Sequence, residues 1–126
     1  MDNRILVLDD DPGILQALDL SLTYSGFQVR PMLSGDNVFR MIEDFEPNLI
    51  IIDYLLRGRT GAEICQDLKN DPRKKNIPVI MLSASTEAAQ RNAEYSCDAF
   101  MAKPFDLNVL VSEIRTFINP DPIVVR

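Results

Sequence analysis

The residues of this chain with the most chemistry to offer are the consecutive acids Asp9, Asp10 and Asp11, a further acid Asp53, the hydroxyl of Ser83 and the amine of Lys103. Carboxylates gathered in one place raise one another's pKa, and such a cluster is costly unless a cation neutralises it. All the candidate ligands are oxygens, which favours magnesium, calcium or manganese over zinc. Two or three carboxylates completed by water suit a magnesium ion that serves a phosphate. Lys103 would then supply a point charge for an anion, and Ser83 a hydrogen bond to a phosphoryl oxygen. The chain has no histidine, so neither a histidine base nor a histidine metal ligand is available. Asp53 is the best-placed nucleophile, and its attack on phosphorus would form an acyl phosphate.

Taken singly, each residue has a plainer explanation. Asp11 stands before Pro12 and fits a helix N-cap better than a metal ligand. Ser83 alone could be a cap, and Lys103 alone a solvated charge. Their common placement is what argues for a site. Short apolar runs at Ile5 to Leu8, Leu49 to Ile52 and Val79 to Leu82, and weaker ones at Phe27 to Val29 and Ala99 to Ala102, read as strands buried on both faces. The acid triplet, Asp53, Ser83 and Lys103 all fall at or just past the carboxyl ends of such strands, where open parallel sheets bind ligands.

Helical spacing separates the strands. One stripe is formed by Ile14, Leu15, Leu18 and Leu22, and another by Leu110, Val111, Ile114, Phe117 and Ile118. Shorter helices are expected over Asn37 to Phe45, Ala62 to Leu68 and, alanine-rich and polar, Glu87 to Tyr95. Gly26, Pro47, Pro72 and Pro104 punctuate the pattern. Five alternations of strand and helix imply a doubly wound α/β domain, with a parallel sheet and helices on both faces. One domain is expected over residues 1–118, with 119–126, broken by Pro120 and Pro122, as a short tail or linker stump.

The 126 residues are 46% apolar and 25% charged, ordinary for a globular domain. No signal-like or membrane-spanning stretch is evident, so a cytoplasmic location without membrane contact is expected. Cys65 and Cys97 lie far apart in the chain without Cys or His neighbours suited to a metal cluster, and read as reduced, buried and structural. A formal charge of −6 repels nucleic acid, so no direct contact with it is expected.

The segments ILVLDDDP, LIIIDYLLRGRTG, PVIMLSAS and FMAKPFD, in this order and spacing, closely resemble the receiver domain of bacterial two-component response regulators, over residues 4 to about 118. The resemblance implies a flavodoxin-like fold with strand order 2-1-3-4-5. It implies that Asp53 takes a phosphoryl group from a sensor histidine kinase, a histidine phosphotransfer protein or a small phosphodonor. It further implies Asp10 as a direct magnesium ligand, Asp9 through water, Asp53 as both ligand and acceptor, and the backbone carbonyl of Leu55 as a ligand. Ser83 and Lys103 would engage the phosphoryl group beside the small Ala84. Lys103-Pro104 would be a cis peptide, and Phe100 an aromatic switch residue acting with Ser83. Output would then run through the helix after strand four, strand five and the last helix, to a partner domain or a homodimer. Such a chain is a switch more than an enzyme, promoting only its own phosphorylation and dephosphorylation. The alternative is a receiver-like scaffold that no longer accepts phosphate; such relatives typically lose an acid or the lysine, and none is lost here. Leu56-Arg57 replace the Met-Pro frequent after the acceptor, and Leu55 and Ser85 offer no acid or amide to position a hydrolytic water.

Overall fold

The computed structural model describes residues 3–84 and 97–118. Five parallel strands, β1 (Arg4–Leu8), β2 (Gln28–Met32), β3 (Leu49–Asp53), β4 (Val79–Ser83) and β5 (Ala99–Ala102), form one sheet in the order β2-β1-β3-β4-β5. Four described helices accompany them: α1 (Pro12–Tyr24), α2 (Val38–Phe45), α3 (Gly61–Lys69) and α4 (Leu107–Phe117). The helix expected over Glu87 to Tyr95 and the tail over 119–126 lie outside the described residues. No described helix is long and apolar enough to cross a membrane.

The strand runs are continuously apolar because successive side chains feed two different cores. Leu6, Leu8, Ile50, Ile52, Val79 and Met81 pack on one face with Val38 and Ile42 of α2 and Ile64, Cys65 and Leu68 of α3. Ile5, Val7, Leu49, Ile51, Ile80 and Leu82 pack on the other with Leu15, Leu18 and Leu22 of α1 and Leu110 and Ile114 of α4. Truncating a fully buried member such as Ile51 to alanine would cost about 2–5 kcal/mol.

Burial on both faces holds for β1, β3 and β4 but not for the outer strands. β2 is exposed or half-buried throughout, and β5 is half-buried except for the exposed Ala102. Both are edges of the sheet, so each has a strand neighbour on only one side.

Local chemistry sets where the helices begin, and hence how the loops at the carboxyl edge run. The Asp11 carboxylate accepts hydrogen bonds from the N–H groups of Gly13 (2.9 Å) and Ile14 (3.3 Å), with Pro12 opening α1, as an N-cap should. Thr60 and Glu63 form a reciprocal capping box at the start of α3. Asp106 caps α4 through the N–H groups of Asn108 and Val109. Beyond the end of α1, Gly26 adopts φ 102°, a left-handed conformation that glycine reaches without a Cβ penalty.

Candidate functional site

β1 and β3 are neighbours, and Leu8 pairs with Ile52, so the next residue of each chain segment, Asp9 and Asp53, emerges at the same edge. This is where the chain, having laid β2 on one side of β1, crosses to lay β3 on the other, the crevice in which open α/β sheets bind ligands. Carboxylate oxygens of Asp9, Asp10 and Asp53 all lie within 4.8 Å of one another. Asp9 is fully buried, Asp53 is 7% exposed and Asp10 is half-buried.

Lys103 reaches this cluster from the end of β5. Its Nζ lies 2.9 Å from Asp9 Oδ2 and 3.2 Å from Asp53 Oδ1, while Asp9 Oδ1 accepts the N–H of Asp11 at 2.9 Å. The Lys103 backbone N–H donates to the Ser83 carbonyl at 2.8 Å, and the peptide bond to Pro104 is cis, as expected. Ser83 is buried at the end of β4, paired with Ala102. The hydroxyl, the ammonium and the three acids thus share one edge.

Among the described residues one cation, Lys103, meets three acids, and the electrostatics follow from this. Burial pushes the Asp53 carboxyl up to about 6, the charge of Asp9 adds to the rise, and Lys103 pulls against both. Burial alone would lower Lys103, but its hydrogen bond to Asp9 and the charges of Asp53 and Asp9 outweigh this and hold the ammonium above its ordinary range. Among the described residues three converging carboxylates with a single lysine are short of positive charge, and their all-oxygen donor set fits a hard divalent ion.

Asp11 lies beside the cluster without joining it, since its carboxylate is occupied as the α1 cap. Leu55 is 61% exposed and bridges antiparallel to Thr60, closing the loop after β3. Phe100 is half-buried on β5, opposite Met81, against the α2 and α3 side of the core. A cavity of about 460 Å³, lined by Arg4, Glu43, Glu46, Arg73 and Lys74 among others, contains none of the residues of the acidic site.

Two features escaped the sequence reading. A Cβ on Gly61 would stand 2.3 Å from the Asp53 carbonyl oxygen, so only glycine lets the start of α3 press against the end of β3. Gly61 ends the segment LIIIDYLLRGRTG, but nothing in that segment names the carbonyl it faces. Cys65 and Cys97, far apart in sequence, pack into the same hydrophobic cluster, and Cys97 is half-buried instead of buried.

A doubly wound sheet whose crossover point carries three acids, answered by a lysine from the last strand, defines a class of small acid-centred domains. A profile of the response regulator receiver domain matches residues 5–115, and the chain belongs to that family, the receiver domains of two-component signalling. It is 30% identical over 118 residues to the DNA-binding dual master transcriptional regulator RpaA of Synechocystis sp., covering 92% of this chain and 49% of that protein. The chain thus spans about half the length of the curated relatives it matches. Among solved structures, the signal receiver domain of a signal transduction histidine kinase from Syntrophus aciditrophicus superposes with a TM-score of 0.86 at 28% identity, covering 96% of this chain and 93% of that one. The response regulator TrrA of Thermotoga maritima, solved in complex with Mg²⁺-BeF, shares the fold with a TM-score of 0.83 at 23% identity, over 92% and 99% of the two chains. The expectation that nothing here meets nucleic acid draws no support from these relatives, because DNA binding stands in their names.

Proposed function

We propose that the Asp53 carboxylate accepts a phosphoryl group and so switches this receiver domain between two states. The observation that carries the reading is the meeting of Asp9, Asp10 and Asp53 within 4.8 Å with the Lys103 ammonium 3.2 Å from Asp53. Asp53 attacks phosphorus in line, the bond from phosphorus to the donor's imidazole nitrogen breaks with its electron pair staying on that nitrogen, and Lys103 shifts its ion pair to the phosphoryl oxygens as charge spreads over them. Ser83 donates its hydroxyl to one of those oxygens. Asp10 and Asp53, the Leu55 carbonyl and, through water, Asp9 would hold a magnesium ion; when bound, it neutralises acids and phosphoryl oxygens together.

The phosphodonor is a sensor histidine kinase or a histidine phosphotransfer protein, and the chemistry is confined to the chain's own aspartate. The receiver occupies residues 1–118 and acts in the cytoplasm. Phosphorylation draws Ser83 toward the new charge and lets Phe100 move inward on the neighbouring strand, so that the surface of β5, α4 and the segment before β5 changes and controls a partner, an output domain or a second copy. DNA binding of the kind named in the relatives is compatible with a chain that spans half their length.

Amide hydrogen exchange tests the switch. Beryllofluoride with magnesium should alter protection across residues 86–105 as well as around residue 53, and Asp53→Asn should abolish both changes. Altered protection confined to the loops at the acidic site would leave Phe100 as core and overturn the switch.

A further inference from the structure

The acidic site makes no use of a second reactive cluster, the thiols of Cys65 and Cys97. Cys65 lies on the buried face of α3, packed with Leu68 and Val79, and Cys97 packs against the same cluster as the chain enters β5. The two are brought together by a clamp one helical turn beyond Cys65. Lys69 Nζ donates to Asp98 Oδ2 at 2.7 Å and to the carbonyls of Ile77 and Lys75 at 2.9 and 3.1 Å. The same Asp98 oxygen accepts the N–H of Val79 at 2.7 Å. Residues i and i+4 share a helix face, so pinning Lys69 to Asp98 places Cys65 beside Cys97.

Packed into one cluster, the two thiols are unequal. The neighbouring Cys65 holds Cys97 below the ordinary thiol range against the opposing effect of burial, with the Asp98 charge opposing and the Lys69 charge assisting. The neighbouring Cys97, then burial, pushes Cys65 far up. Cys97 is half-buried and Cys65 fully buried. A half-buried thiol whose pKa is lowered, beside a fully buried one whose pKa is raised, is the arrangement of an attacking and a resolving cysteine.

We infer that Cys65 and Cys97 form a hydroperoxide-responsive pair that closes to an intramolecular disulfide, tying α3 to the start of β5. The Cys97 thiolate attacks the terminal peroxide oxygen. An S–O bond forms, the O–O bond breaks, and the departing alkoxide or hydroxide takes up a proton. The sulfur is oxidised to a sulfenic acid by two electrons and the peroxide is reduced. Cys65 then attacks that sulfur, its proton leaves with the displaced hydroxide as water, and the sulfur–sulfur bond forms. Intracellular disulfides of this kind are typically transient and sensing. The reaction draws on no residue of the acidic site, so it stands or falls independently of phosphorylation.

Mass spectrometry of the wild-type chain tests it. Hydrogen peroxide, followed by alkylation with N-ethylmaleimide, should give a monomer lighter than the untreated, unalkylated chain by about 2 Da and carrying no alkyl group. Non-reducing digestion should yield the Cys65–Cys97 peptide pair, and dithiothreitol should reverse the change. Asp53→Asn should oxidise as the wild type does. Cys65→Ser should stop at a sulfenic acid on Cys97 that dimedone captures, while Cys97→Ser should leave Cys65 unoxidised. The inference is overturned if both thiols remain alkylatable after peroxide, if Cys97 runs on to sulfinic acid unlinked, or if only disulfides between molecules form. Because the wild-type peptide map decides, a variant that fails to fold does not obscure the result.

Discussion

The ammonium of Lys103 lies 3.2 Å from Oδ1 of Asp53, an ion pair that reaches past β4 from the end of β5 to the end of β3. A second contact, 2.9 Å to the fully buried Asp9, makes Lys103 the cation that the acids share. Lys103→Met should therefore destabilise the metal-free protein by about 3 kcal/mol at neutral pH, because breaking a buried pair leaves charge uncompensated. It should also bind magnesium more tightly, since the ammonium no longer competes for the same carboxylates, and accept phosphate at least about tenfold more slowly. Urea denaturation with and without magnesium, together with the rate of phosphorylation by acetyl phosphate, checks all three.

Asp53 should give the fold an unusual dependence on pH. Its carboxyl is raised from 3.8 to about 6, so between these values the folded protein holds more of this proton than the unfolded chain does. The contribution of Asp53 to stability therefore falls as pH rises through that window, and the full cost is present above it. Without metal at pH 7.5, Asp53→Asn should be more stable than wild type by about 2–3 kcal/mol. The gain should fade toward pH 4, and saturating magnesium should shrink it at pH 7.5. Urea midpoints in chelator and in magnesium provide the comparison.

Much of this site could be read without coordinates, because a buried parallel strand announces its own end. In β1, β3 and β4 the apolar run stops and the next polar side chain, Asp9, Asp53 or Ser83, stands at the carboxyl edge. What could not be read depends on neighbours that strand runs do not name. The exposure of β2 follows from its place at the sheet edge, and strand order was available only through family resemblance. The approach of Gly61 to the Asp53 carbonyl and the pairing of Cys65 with Cys97 are both set by how α3 packs. No local pattern around either cysteine points to the other.

The acids of the triplet should separate cleanly by role. Asp10 contributes to the cluster, whereas the Asp11 carboxylate is engaged with the N–H groups of Gly13 and Ile14. Asp10→Ala should lose magnesium binding with little effect on metal-free stability. Asp11→Ala should bind magnesium nearly as wild type but lose about 1 kcal/mol of stability with its cap. Isothermal titration and urea denaturation of the two variants distinguish the roles, and equal loss of metal in both would mean they are wrongly divided.

Gly61→Ala should damage the site from outside it. The added Cβ would meet the Asp53 carbonyl oxygen at 2.3 Å, and backbone there has no flexible side chain to give way. A loss of about 1–3 kcal/mol is expected, with phosphorylation slowed because the end of β3 must shift. Thermal unfolding and phosphorylation rates, compared with wild type, measure the two effects.

The central claim is that one carboxylate, Asp53, takes the phosphoryl group, and trapping the adduct tests it most directly. The protein is incubated with acetyl phosphate and magnesium, then reduced with borohydride, which converts an aspartyl phosphate to homoserine, and its peptides are sequenced by mass spectrometry. The account predicts a single homoserine, at position 53, that is absent without magnesium and absent in Asp53→Asn. A homoserine at position 9 or 10, or a phosphoryl adduct that persists in Asp53→Asn, would contradict it.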